Sequence, residues 1–270
     1  MERRYFIFSM LLAATTVREA AGVNANVYQE DIIVEMLREL AKRADHFEKS
    51  LPDFIVTETL TQELINKKDK IKQSRVTVSL LTGRQIRTIA KDGRVELRFK
   101  EVRQVQTIND KESKSQDFKV TGTQVKGAFS SVLLSHFTST DQRDYLFELE
   151  PDQVLINHRS AYLLNFSSRG DRNNQFYIFD GIRTRSHQKG RAWIDIETMV
   201  PLRIEFNEIN LPKDIEWMFY AVDYAPVELG GVLHTLPVSA ETEIIEKGQK
   251  SRAHHHYSNY RKFSTDVTIE

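Results

Sequence analysis

Cysteine is absent from all 270 residues. That excludes disulfides, thiolate-bound metals, a cysteine nucleophile and the acylated cysteine of a mature lipoprotein. Net charge is absent too: 38 Lys and Arg balance 38 Asp and Glu, so no overall field draws the chain toward nucleic acid or anionic lipid. Proline (6) and glycine (11) are too few and too scattered to make a linker, and residues 26–270 read as a single domain. After the first 25 residues, no apolar run approaches the roughly 20 residues needed to cross a bilayer. The sequence has no GxSxG elbow, no HExxH helix and no glycine-rich phosphate loop, so hydrolase and nucleotide chemistry have no anchor. What is present is an ordinary globular composition, 40% apolar and 28% charged, with 15 Phe, 9 Tyr and 2 Trp. Disorder is therefore excluded as the main theme.

Residues 1–25 read as an address. A charged start (Glu2, Arg3, Arg4) precedes an apolar run from Tyr5 to Val17 and a stretch ending Val23-Asn24-Ala25. A secretory signal peptide has this order. Cleavage after Ala25 would leave an exported protein, periplasmic or secreted, with no integral membrane span.

Beyond the leader, Ile33, Met36, Leu37, Leu40, Ala41, Ala44 and Phe47 recur at spacings of three and four. This predicts one amphipathic helix over residues 30–48, stopped by Pro52. From Phe54 the period becomes two. Val76, Val78 and Leu80 alternate with Arg75, Thr77 and Ser79, while Val95, Leu97 and Phe99 alternate with charged residues. These are strands with one dry face, joined by a turn at Lys91-Asp92-Gly93. Residues 109–117 read as a surface loop. A second short helix is predicted through Val125, Phe129, Val132, Leu133, His136 and Phe137, and after it come about ten strand-like runs at meander spacing.

Balanced overall, the charge is uneven locally. Residues 61–120 hold 15 basic against 8 acidic residues, and residues 195–247 hold 3 against 11. In a simple meander these stretches would lie at opposite ends of the sheet and give the molecule a dipole.

Two helices and ten or more strands cannot build a doubly wound sheet, which needs a helix between successive strands. The expected class is α+β, mainly β: one highly curved antiparallel sheet, a half-barrel, with about two helices on its concave face. Two helices make a small lid for so large a sheet. Either the trough closes as a packed barrel or an apolar cavity remains beneath the helices.

Within this plan, Gly190–Glu205 (GRAWIDIETMVPLRIE) resembles the strand-turn-strand of the periplasmic outer-membrane lipoprotein carrier (LolA-like) superfamily. The Lys126–Phe137 segment and Asn259–Phe263 (NYRKF) resemble uncharacterised exported bacterial proteins that carry this hairpin. The resemblance implies an unclosed, strongly curved antiparallel sheet with helices against its concave side, where members bind acyl chains or lipoproteins. From the residues alone, Ala192, Ile194 and Ile196 share a face, as do Val200, Leu202, Ile204 and Phe206. Trp193 points the other way and is placed to stack on Arg203.

A metal reading of His254-His255-His256 is weak, because a strand sends His254 and His256 to one face and His255 to the other; His234 or Glu243 would have to complete the set. Asp195 and Glu197 read as turn and surface residues. No catalytic residue, metal site or cofactor is therefore assigned. The leading expectation is an exported, non-enzymatic protein holding a lipid acyl chain or other apolar ligand in a groove lined by Phe129, Leu133, Phe137, Tyr145, Phe147 and Phe219. One alternative is an envelope protein-interaction module with a filled core that uses charges such as Lys67, Lys68, Lys70 and Lys72. A metal-dependent enzyme around His254 and His256 is a third reading.

Overall fold

Period-two alternation governs most of the chain, and the structure converts it into strands. The computed structural model describes residues 31–46, 51–89, 95–113, 136–170, 176–179 and 182–263. Among them is one helix, α1, at residues 31–46, ending before the Leu51-Pro52 step as the sequence predicts. The strands are β1 (Phe54–Ile65), β2 (Ile71–Ile89), β3 (Val95–Ile108), β4 (Lys111–Glu112), β5 (Tyr145–Leu149), β6 (Val154–Ile156), β7 (Arg159–Ser168), β8 (Phe176–Phe179), β9 (Ile182–Arg185), β10 (Gln188–Asp195), β11 (Pro201–Glu208), β12 (Ile215–Leu229), β13 (Val232–Glu246) and β14 (Gln249–Lys262). The leader at residues 1–25, the Lys91-Asp92-Gly93 turn and most of the second predicted helix lie outside the described residues. Of its predicted residues only His136 and Phe137 are described, and both are helical. No helix among the described residues is long and apolar enough to cross a membrane.

Twelve strands form one open antiparallel sheet in the order β4-β3-β2-β1-β14-β13-β12-β11-β10-β7-β5, with β6 also on β7; β8 and β9 form a separate pair. This is the mainly-β, single-sheet class expected from the sequence. The strand order departs from a simple meander at β10-β7, at β7-β5 and, with the largest consequence, where β14 returns to pair with β1, from Phe54↔Lys262 to Ile65↔Lys250. The acidic strands β11 to β13 therefore lie beside the basic β1 to β3 with only β14 between, and the expected separation of the two charged stretches to opposite ends of the sheet is not what the structure shows. A nonlocal pairing of first and last strands leaves no local sequence signal.

Bulges interrupt the ladders at Ile55/Thr57, Leu64/Ile65, Val78/Ser79, Trp193/Ile194, Ile215/Trp217 and Asp223/Tyr224. Each adds local bend and twist, and the sheet curls around α1. One connected core joins Met36, Leu40 and Ala44 of α1 to Leu81 on β2, Phe54 on β1, Tyr257 on β14, Ile204 on β11 and Tyr145 on β5. A flat array of these strands would be about 50 Å wide, far more than a helix about 10 Å across can cover. Three polar contacts fix α1 in place. Arg43 donates to the Thr198 carbonyl at the β10–β11 turn, Asp45 accepts from Ser139 N–H, and Gln142 donates to the Leu37 carbonyl.

The β10–β11 hairpin follows the sequence reading closely. Ala192, Ile194, Leu202, Ile204 and Phe206 are buried toward α1, and Trp193 opposes Arg203 on the outer face. Asp195 corrects that reading in one respect. It is buried, not a surface acid; its Oδ1 accepts from the backbone N–H and hydroxyl of Thr198 at the turn, and its Oδ2 pairs with Arg159 at 2.9 Å.

Candidate functional site on the inner sheet face

The inner face has two chemically different halves. Over β5, β7, β10 and β11 it is aromatic. Tyr145 and Phe147 point inward opposite Ser168 and Phe166, and Phe166 and Phe206 pair across Gly190. A Cβ at Gly190 would come within 2.6 Å of both Phe166 Cζ and Phe206 Cβ, and closer still to the Glu205 carbonyl. Glycine is there because two rings lie over the strand. The His136 imidazole sits among the rings of Phe166 (4.6 Å between centroids), Phe206 (4.9 Å) and Tyr145 (5.2 Å).

Beneath these rings runs a buried polar chain. His136 Nε2 and the Tyr145 hydroxyl both lie 2.8 Å from Gln188 Oε1, Gln188 Nε2 donates to Glu208 at 2.7 Å, and the Ser186 hydroxyl donates to the same carboxylate. Burial pushes the Glu208 carboxyl up, and the hydrogen bonds from Gln188, Ser186 and the His187 backbone only partly offset it. Burial, reinforced by the charge of Glu208, also pushes the Tyr145 phenol up. Gln188 thus joins His136 and Tyr145 to Ser186, between β9 and β10, and to Glu208 on β11 in one hydrogen-bond network.

Over β1, β2, β3 and β14 the inner face sets polar groups among apolar core residues such as Val56, Leu60 and Leu81, and here the sequence reading of β2 is reversed. Thr77 and Ser79 are buried, whereas Val76, Val78 and Leu80 are only half-buried on the outer face. The cause lies on the neighbouring strand. Glu58, opposite Ser79, is a fully buried carboxylate. Its Oε2 accepts from Arg103 Nε at 2.7 Å, and its Oε1 lies 2.9 Å from His255 Nδ1. Burial works to raise Glu58, but the hydrogen bond from His255 and the charge of Arg103 outweigh it and hold the carboxyl below its usual range. With Nδ1 turned to Glu58, the other ring nitrogen of His255, Nε2, and the Ser79 hydroxyl are buried with no hydrogen-bond partner among the described residues.

The expected groove residues do not all converge. Phe137 and Tyr145 are fully buried in the core, and Phe147, stacked on Phe137 with centroids 6.1 Å apart, is partly covered. Phe129 and Leu133 lie outside the described residues. Phe219 faces the other way: it opposes Asn207 on the outer surface and stacks on Trp217. Around it, Asn165, Lys189, Arg191, Glu205 and Asn207 line an open cleft of about 300 Å³. His254 and His256 are exposed on the outer face, and His255 points inward, as strand geometry requires. His254 opposes Glu241, while Glu243 is engaged with Arg252. Among the described residues, no three potential ligands come together to hold a metal. Trp193 lies between two guanidinium groups, Arg191 at 5.0 Å and Arg203 at 6.0 Å; the Arg203 stacking was expected, and the Arg191 contact is additional. The Glu58, Arg103 and His255 cluster was not foreseen. Its one sequence signal was a lone Glu at an inward position of an otherwise alternating strand.

No protein-family model matches the chain, and no curated protein does. Among solved structures, it is similar to a DUF1329 family protein from Desulfovibrio piger (12% identity, TM-score 0.43, covering 88% of this chain and 95% of that one). It is also similar to a putative outer membrane lipoprotein-sorting protein domain from Vibrio parahaemolyticus (13% identity, TM-score 0.41, covering 86% and 93%). A third is a LolA superfamily protein from Nitrosomonas europaea (13% identity, TM-score 0.37, covering 84% and 94%).

Proposed function

We propose that the protein is an exported, non-enzymatic binding protein that holds an acyl chain or other apolar ligand against the inner sheet face, beside His136 and Phe137. The observation that carries this reading is incomplete cover. With α1 already packed, the inner-face side chains Phe147, Leu149 and Tyr162 near the β5 edge, and Tyr220 on β12, remain only partly buried. An acyl chain laid along them would remove that surface from water.

A second reading is favoured by the complete burial of Phe137 and Tyr145: the hollow is filled by the protein's own rings, and binding uses the surface. Titration with a dansyl-labelled fatty acid separates the two. The carrier reading predicts saturable fluorescence enhancement that Phe147→Asp with Leu149→Asp weakens about tenfold or more, and that Phe219→Ser on the outer face leaves unchanged. Absence of saturable binding would leave the filled-core reading.

A further inference from the structure

The end of the sheet where β12 turns into β13 combines two features that rarely meet by chance. The turn Leu229-Gly230-Gly231-Val232 is tight, with both glycines at positive φ (62° and 82°). Hairpin tips of this kind are usually polar, yet Val232 is 56% exposed and Leu233 is 69% exposed. One cation lies against this apolar tip, and others lie on the strands beyond it. A Cβ on Gly230 would touch the Lys262 side chain, which places the end of β14 against the turn. Lys262 opposes Phe54, Phe54 opposes Gly83, and Arg261 opposes Ile55. The next pair along β2 and β3 is Arg84↔Lys100. Arg84, Lys100, Arg261 and Lys262 are all exposed. None of them has a carboxylate partner among the described residues; Arg84 instead lies over the Phe263 ring at 4.9 Å. The one exposed acid paired into the tip is Glu228, opposite Leu233.

We infer that this end of the sheet is a docking surface for an anionic lipid bilayer, with Val232 and Leu233 entering the headgroup boundary while Arg84, Lys100, Arg261 and Lys262 face lipid phosphates. Paired apolar side chains flanked by unneutralised cations are the two contributions that together hold a protein on such a membrane. Charge complementarity selects the occupant: a neutral bilayer would leave four desolvated cations without counter-charges, and a second copy of the chain would set cation against cation. Unlike the proposed groove, the surface lies at a strand end, so it can succeed or fail independently of the carrier reading.

Flotation of the full chain with vesicles tests it, comparing phosphatidylcholine alone with an equal mixture of phosphatidylcholine and phosphatidylglycerol. The apolar run at residues 5–17 is common to wild type and variants, so the comparison between them isolates the tip. Expected is binding to the anionic vesicles only, reversed by high salt. Val232→Ser with Leu233→Ser, and separately Arg261→Glu with Lys262→Glu, should each weaken it about tenfold or more, with circular dichroism showing both variants folded. Equal binding to both vesicle types, no binding to either, or anionic binding untouched by either double variant overturns the inference. So does wild-type dimerisation that the Val232/Leu233 variant abolishes, because the tip would then be covered by a second copy.

Discussion

At Glu58 a carboxylate is held out of water between Arg103 and His255. Removing one member of such a set strands the others, and Glu58→Ala should cost about 3–5 kcal/mol in chemical denaturation. The pH dependence follows from the direction of the shift. The folded state keeps Glu58 ionised below its ordinary value of 4.5. Its stabilisation is therefore present above that pH and is lost as pH falls through the lower folded value. Acid should narrow the stability gap between wild type and Glu58→Gln. Glu208 has the opposite sign. Burial raises its carboxyl above 4.5, so its contribution is present at low pH and fades as pH rises. Glu208→Gln should gain on wild type as the pH of the denaturation series increases; a flat difference would place the Glu208 proton elsewhere. At Gly190 the constraint is steric. Gly190→Ala pushes a methyl group against Phe166 and Phe206 and should destabilise by about 1–3 kcal/mol, measured as a shift in the denaturation midpoint. None of these three roles is visible in the sequence, because each depends on which strand lies next door.

Elements divide by whether their pattern is local. Helix α1 was legible: apolar residues at spacings of three and four put Met36, Leu40 and Ala44 on one stripe, and these are the buried residues. Leu40→Ala should cost about 2–5 kcal/mol, whereas Val34→Ala, on the exposed side, should change stability by less than about 0.5 kcal/mol. Comparable losses from both would mean that α1 does not dock by that stripe. The β10–β11 hairpin was legible for the same reason, with Ala192 and Ile194 facing Leu202, Ile204 and Phe206 inward. β2 was not. Its valines mark the outer face, and the inner Ser79 lies opposite the buried Glu58, where a hydroxyl fits and a valine would bury a charge against hydrocarbon.

Across the whole molecule, composition and alternation were enough for a single curved antiparallel sheet with too little helix to cover it. They could not fix the strand order. Pairing Phe54 with Lys262 joins the first and last strands, and such contacts leave no periodic trace. The same pairing brings the acidic β11 to β13 next to the basic β1 to β3, so the outer face carries cross-strand ion pairs such as Arg252 with Glu241, Glu243 and Glu63 in place of a long-range dipole. The residues proposed to line a groove also fall differently. Of the expected lining, Phe147 remains at a partly open apolar edge, Phe137 and Tyr145 belong to the packed core, and Phe219 belongs to the other face. What the molecule carries is decided most directly by native mass spectrometry of the purified protein, with organic extraction of the same sample. The carrier account predicts a bound species of acyl-lipid mass that is recovered in the extract and lost in the Phe147→Asp, Leu149→Asp variant. Bare protein mass with a lipid-free extract would contradict it.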